Sequence, residues 1–530
     1  MGKINYLFLF LFFISFQELY STTSVEKSSS VIAFSIIQLE KIKIDSTIII
    51  SYNDSILKSF YKKNAYEVAW DSKVNRDFVL NEITQSSQEG LEPNDYFVVY
   101  LNRFESKFDS LSSEHRIEYD IQMTQSFQKY ISHLNKGKLN PYNLYDDWDL
   151  GKKTVDVNAL LFECFEKNNF AEIIERQKPQ LKIYQQLKWA LKKLNEFPDT
   201  DIDQIDPREK FKPNTSSKSI PNIKKKLTYW GDLKNDSIFT KTYTKETLKA
   251  VKQFQKRHGL QADGVIGKGT IEALNYSKNQ RIEQIVVNME RLRWLPNDLG
   301  NHYLLVNLPD YMLTVYKDND SLFSNKIVIG KDTRKTPLLS SKLTNIILNP
   351  NWTVPPTILK EDVFPEALKS RSAFSRKGLH IFDSKNREIS ASNWRMSDAK
   401  KYRYVQNPSK NNSLGLMKIN FNNNYAVYLH DTNHRDYFKK NFRALSSGCV
   451  RVEHPLELAE HIINDSLDWN LEKIHEVTTN AKTLKTTSID IVESIFVHFI
   501  YTTSWMENNL LQFREDMYCL DAELFAKLRY

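Results

Sequence analysis

Near residue 294 the periodicity of the chain changes, and this limits its fold more than any other feature. Before that point apolar residues recur at helical spacing, as in 117–134 and 179–194. Short breaks, Gly90-Leu91-Glu92-Pro93 and Gly137-Lys138-Leu139-Asn140-Pro141, each join a helix stop to a new start. After it come short β-branched and aromatic runs at 302–307, 312–316, 326–329, 345–348 and 425–429. Residues 492–505, rich in Val, Ile, Phe and Tyr, predict one or two more strands, and Pro455 opens a helix over 455–463. The expected fold class is therefore α+β and multidomain, with a helical scaffold at 25–205 and a β-rich domain at 281–530. The polar stretch 360–413 interrupts the β region and predicts an inserted lid, because segments that long are usually functional or mobile.

A hydrophobic share of 41% against 26% charged residues excludes general disorder. The net charge of +8 comes from 73 basic and 65 acidic side chains with no dense basic block, so no nucleic-acid partner is expected. The three cysteines, Cys164, Cys449 and Cys519, are too few for a disulfide scaffold or a Cys-based structural zinc site. Behind Lys3, residues 6–16 (YLFLFLFFISF) form an apolar run, shorter than the roughly 20 residues of a spanning helix. Residues 1–24 are expected to be a signal sequence or N-terminal anchor, possession of which places the rest outside the cytoplasm. No Cys follows the run, so lipidation at such a residue is excluded.

A linker and a small module are expected at 206–280. Residues 199–222 are rich in Asp, Pro, Ser, Thr and Lys. Thr244 then reads as an N-cap, with Leu248, Val251, Phe254 and Gln255 behind it and Gly259 at the helix end. An Asp263-Gly264 turn and a short helix over 270–274 complete a three-helix unit of about 50 residues, near the lower limit for an independent core. Gln255, Gln261 and Asp263 are expected to edge an apolar groove, and His258 to be solvated. Gly267-Lys268-Gly269-Thr270 fails the phosphate-loop spacing, because position 262 is Ala and no strand precedes it.

The sharpest chemical feature is Ser446-Ser447-Gly448-Cys449-Val450-Arg451-Val452. A thiol among small residues can lie on an open turn. Cys164, in LLFECFEK, reads as packing, and Cys519 is expected to do the same. A catalytic thiol needs a base, since a free one has a pKa of ~8.5. His430 is the candidate: it ends the run 425–429 and opens the loop Asp431-Thr432-Asn433. His434 and His454 also lie near Cys449 in the chain, and position alone does not choose among the three.

These two motifs together resemble the active-site signature of L,D-transpeptidases (the YkuD catalytic fold), most of all their large YcbB-like subgroup. Arg334-Lys335-Thr336-Pro337, Asn349-Pro350-Asn351-Trp352, Asn412-Ser413-Leu414-Gly415 and Phe513-Arg514-Glu515-Asp516-Met517-Tyr518 are similar to the same subgroup. The stretch Phe254–Gly267 resembles a peptidoglycan-binding domain, and Tyr61, Trp70 and Gly90–Pro93 the subgroup's scaffold. Many members carry His where this chain has Ser447; here the base role falls on His430. Ser409 stands where the subgroup often has Gly.

The resemblance implies a peptidoglycan L,D-transpeptidase. Cys449 is the implied nucleophile, His430 the base and proton donor, and backbone N–H groups near Gly448 and Cys449 the oxyanion donors. Arg451, Ser447, Asp431, Trp352 and Tyr428 are implied to contact substrate, with Arg451 open to a structural ion pair and Trp352 and Tyr428 to core or pocket wall. The implied partners are a tetrapeptide-stem donor and a third-residue amine acceptor, with a carbapenem as a covalent ligand. No metal or organic cofactor is required. Two rivals remain at this point: an L,D-carboxypeptidase or endopeptidase using water, and a non-catalytic peptidoglycan-binding envelope protein.

Overall fold

A computed structural model describes residues 42–234, 239–463, 469–480 and 484–529. The expected export segment at 1–24 lies outside them. Among the described residues no helix is long and apolar enough to cross a membrane.

The N-terminal region is helical, as its periodicity predicts. Its longest helix, Ser113–Lys136, starts where the Ser112 hydroxyl accepts from His115 N. It stops at Gly137, whose φ is +83°; a Cβ there would come within 2.5 Å of Trp294 Nε1. One short strand, Trp148–Asp149, leaves the helical region and pairs in parallel with Leu338–Leu339 of the β-rich domain.

Helix Lys278–Trp294 is the spine of the molecule. A capping box between Ser277 and Gln280 sets its start. It is buried on nearly every face, including Arg281, Glu290, Arg291 and Arg293. Buried charge must be paired, and here the pairs tie domains together. Arg293 meets Glu290 at 3.1 Å and the Tyr184 hydroxyl at 2.9 Å, and Tyr184 donates to Glu89 at 2.9 Å. Arg291 reaches Asp521 near the C-terminus.

The β-rich domain holds an eleven-stranded sheet among the described residues. Strand Leu338–Leu348 is shared: its first half pairs with Phe496–Ile500, its second half with Met417–Phe421 and Thr487–Asp490. Phe496–Ile500 also pairs with His302–Asn307, so the sheet closes on itself around one apolar core. Within 492–505 two strands form, Phe496–Ile500 and Ser504–Glu507, while Val492 is exposed.

The three expected module helices are Ile220–Tyr229, Lys245–Arg257 and Lys268–Asn275. The stretch read as linker joins their core through Ile205 and Phe211, and Phe211 bridges to Ile266. The module packs directly on the hairpin 504–513 of the β-rich domain. Arg257 pairs with Asp232 at 2.8 Å and donates to Leu511 O at 3.2 Å, while Arg514 donates back to Arg257 O at 3.1 Å. His258, expected in solvent, is buried here, stacked between Phe254 and Phe513. Gln255, expected at a groove edge, is also buried; it holds the following turn through Val265 O, Thr270 and Gly264 N. The two have different causes: the remote hairpin covers His258 through Phe513, whereas the module's own turn at 263–270 folds over Gln255.

The insert expected at 360–413 is a folded subdomain, and it begins earlier. Trp352–Thr353, Arg403–Gln406, Leu379–Phe382 and Glu388–Ile389 form its own four-stranded sheet. Its core, with Val354, Phe364, Phe374, Trp394 and Tyr404, is separate from the main one. Asn412, buried, clasps the two stems by donating to Pro350 O at 3.0 Å and Gln406 O at 3.3 Å.

Candidate active site

Strand pairing assembles the site. Leu429–His430 runs parallel to Val450–Val452, with Leu429 opposite Val450 and His430 opposite Arg451. Leu429 and Val450 are fully buried in the core. Side chains alternate across a strand, so Tyr428, His430, Cys449 and Arg451 all emerge on the other face. Lys418, opposite His430 in the antiparallel neighbour, joins them.

His430 is buried, and its Nδ1–H donates to the Asp431 carbonyl. A carbonyl accepts only, so the proton sits on Nδ1 and Nε2 keeps its lone pair. Burial, with Arg451 and Lys418 nearby, lowers the imidazole to about 3, which keeps it neutral at neutral pH. The Cys449 thiol is raised by burial against the lowering pull of Tyr428, Arg451 and Lys418. The resting pair is thus thiol and neutral imidazole. Cys449 Sγ lies 3.9 Å from Ala426 O, and the Tyr428 ring stands edge-on to His430 with centroids 5.6 Å apart.

The turn before Cys449 is held from several sides. Gly448 has φ +116°, a region that favours glycine. Its N–H donates to Ser446 Oγ at 3.1 Å, and Ser446 Oγ donates to Cys449 O at 2.6 Å. The Gly448 N–H, expected as an oxyanion donor, is therefore taken up within the loop. The Cys449 N–H finds no acceptor among the described residues.

Residues 301–478, which contain both side chains, match the family described as L,D-transpeptidase catalytic domain. The chain carries a YkuD-type L,D-transpeptidase catalytic domain. Residues 55–191 match a scaffold domain and 216–274 a "Putative peptidoglycan binding domain". A Haemophilus influenzae protein named "Putative L,D-transpeptidase" is 32% identical over 251 residues, 47% of this chain and 50% of that protein. The chain thus matches about half the length of this curated relative. An L,D-transpeptidase from Stackebrandtia nassauensis is 15% identical, with TM-score 0.22, covering 56% of this chain and 97% of that one. One from Mycobacterium smegmatis is 10% identical, with TM-score 0.18, covering 38% and 58%. Scores this low carry no argument.

Within the L,D-transpeptidase domain the other expected residues separate into two groups. Arg451 has no ion pair among the described residues; its Nε and Nη1 are buried without a hydrogen-bond partner, on the same face as the thiol. Tyr428 reaches that face, with Lys418 Nζ 4.7 Å from its ring, whereas Trp352 packs against the core of the insert. Asp431 does not: its carboxylate is buried and accepts from Leu416 N at 2.8 Å and Arg435 at 2.9 Å, bracing the loop behind His430. The rival histidines are exposed, His434 stacked on Tyr437 and His454 within 3.6 Å of Glu457. Cys164 is buried in the scaffold, as expected; Cys519 is exposed, with φ +55°, and so is not packing.

Several residues near the thiol carry no individual sequence signal. Arg334 donates to Ser447 Oγ at 2.8 Å while pairing with Asp362 at 2.6 Å and with Glu361 of the insert. Thr336 Oγ1 donates to Gly448 O at 2.8 Å and accepts from Gly330 N at 2.9 Å. Tyr518 OH donates to Gly330 O at 2.6 Å and accepts from Thr336 N at 3.2 Å. Arg334, Thr336 and Tyr518 fall in stretches that resemble the subgroup, but their contacts to Ser447, Gly448 and Gly330 respectively span more than a hundred residues, beyond any local pattern.

Proposed function

We propose that the protein is a peptidoglycan L,D-transpeptidase acting through a Cys449 thioester. The observation that carries this reading is a thiol and a neutral imidazole with a free Nε2 on one sheet face, beside a guanidinium whose buried Nε and Nη1 lack hydrogen-bond partners. Cys449 Sγ attacks the carbonyl joining the third stem residue to D-Ala. His430 Nε2 takes the thiol proton as attack proceeds and returns it to the D-Ala amine, which leaves. The Cys449 N–H stabilises the tetrahedral oxyanion, a contribution of about 3 kcal/mol. A third-residue amine of a second stem then attacks the thioester, giving its proton to His430 and freeing the thiol, and a 3→3 cross-link results.

Arg451 binds a substrate carboxylate, because its buried N–H groups lack partners and a carboxylate supplies them bidentately. The insert closes over the site as a lid, with Arg334 between it and the nucleophile loop. Ser447 serves that contact, and Tyr428 lines the pocket. A carbapenem offers a strained carbonyl to the same thiol. The work is done in the cell envelope, with residues 1–24 directing export or anchoring.

Incubation with tetrapeptide-rich sacculi tests the reading. Dimeric muropeptides with free D-Ala are expected by mass; tripeptide monomers alone would make water the acceptor and the enzyme a carboxypeptidase. Cys449→Ala should abolish either product.

A further inference from the structure

Apart from the Cys449 site, a cleft forms where three regions converge. It encloses about 1400 Å³ and is lined by the start of the scaffold helix Lys182–Glu196, the module loop after Arg257 and the outer face of strands His302–Asn307 and Met312–Lys317. Ligand pockets typically span roughly 300–1,000 Å³ and favour domain interfaces, so this one suits a polymer segment better than a single small molecule. Neither Cys449 nor His430 lines it.

Its lining alternates aromatic faces with hydrogen-bonding groups. Tyr316 stacks on Tyr303 at 4.9 Å with rings 10° apart, and Thr314 and Ser324 pair their hydroxyls at 2.8 Å beside them. Trp505 lies under the Arg514 guanidinium at 4.5 Å, and Phe442 is 54% exposed at the rim. Gln261 from the module and Gln186 from the scaffold add amides. Acidic and basic side chains are equally represented, so neither a phosphate-rich polymer nor an acidic peptide is favoured. Sugar rings offer flat C–H faces to aromatic rings and hydroxyl and acetamido groups to amides.

We propose that this cleft binds the neutral glycan backbone of peptidoglycan, a β-linked strand of N-acetylated aminosugars, in a site shared by the module and the catalytic domain. The proposal rests on the peptidoglycan reading above and extends it. The strand is held by the rigid body of the protein while its peptide stems remain free for the thiol.

Titration of the whole protein with an N-acetylglucosamine hexamer tests it. Wild type and Cys449→Ala should bind alike. Tyr316→Ala from the sheet and Gln261→Ala from the exposed module loop should each weaken binding by about tenfold or more, as loss of a ring or amide contact predicts. Gln261→Ala should keep its melting temperature, and both variants should keep their turnover of a small soluble muropeptide. No hexamer binding by wild type, or binding that neither variant weakens, overturns the proposal. Hexamer binding without any turnover supports the cleft while removing the transpeptidase reading.

Discussion

Two appendages flank the catalytic domain, and they are attached in different ways. The peptidoglycan-binding module is joined by buried groups: Arg257, Asp232, His258 and Phe513 interlock, and Gly259 leaves room for Arg514, whose Cδ would lie 2.5 Å from an added Cβ. The insert has its own core, two stems clasped by Asn412, and the Arg334 latch to the nucleophile loop. Undocking the module would part the His258–Phe513 stack and leave the Arg257 and Arg514 N–H donors without the carbonyls they reach across the joint, whereas half-exposed ion pairs exchange readily with water. The module is thereby built to hold a fixed orientation, and the insert to open and close.

Breaking the module joint should have the largest effect. Arg257→Ala removes the donor to Leu511 O across the joint and also leaves Asp232 of the same module buried without its partner, together a cost of about 3–5 kcal/mol. Chemical denaturation should show that loss, with a changed slope if the module comes away first. A loss under 1 kcal/mol would mean that the joint is loose and the contrast false.

The insert should respond in the opposite sense. Glu361 and Asp362 are 51% and 42% exposed, so Arg334→Ala should cost only about 1 kcal/mol or less of stability. Turnover should nevertheless fall roughly ten- to a hundredfold, because Ser447 loses the group that positions its loop. Hydrogen exchange across 352–406 should rise. Unchanged exchange there, with normal turnover, would remove the latch.

A smaller effect separates the two regions by pH. His258 is held well below the ordinary imidazole range by burial and by Arg257, Arg281 and Arg514, with Phe254 O opposing them weakly. A released or unfolded module takes up a proton below about 6.5 that the docked one refuses, so docking is stable above that pH and weakens as pH falls. Of the two appendages, the module joint should be the one to loosen in mild acid. His258→Phe should flatten the acid dependence of melting. An equally steep curve in that variant would place the sensitive group elsewhere.

What the sequence makes legible follows the range of the interactions involved. Cys449 and His430 stand out because each sits in a contiguous polar motif at a strand end, and the parallel register of 429–430 with 450–452 brings those ends together. The Thr244 cap and the Gly259 stop are equally local, and both form as expected. His258 and Gln255 mislead because their burial depends on contacts beyond their own helix. The insert hides its core because Phe364, Phe374, Trp394 and Tyr404 are spread among polar residues with no single period. In Lys278–Trp294 the charged residues suggest a solvent face, yet partners from three regions bury them.

The central claim is that Cys449 forms the acyl-enzyme with His430 as its base. Intact-protein mass spectrometry after mixing with a soluble tetrapeptide donor and no acceptor tests it directly. The account predicts an adduct of the tripeptide portion, mapped to Cys449, with one D-Ala released per adduct, and strong suppression of both in His430→Ala. An adduct at Cys519, or an undiminished Cys449 adduct in His430→Ala, would contradict it.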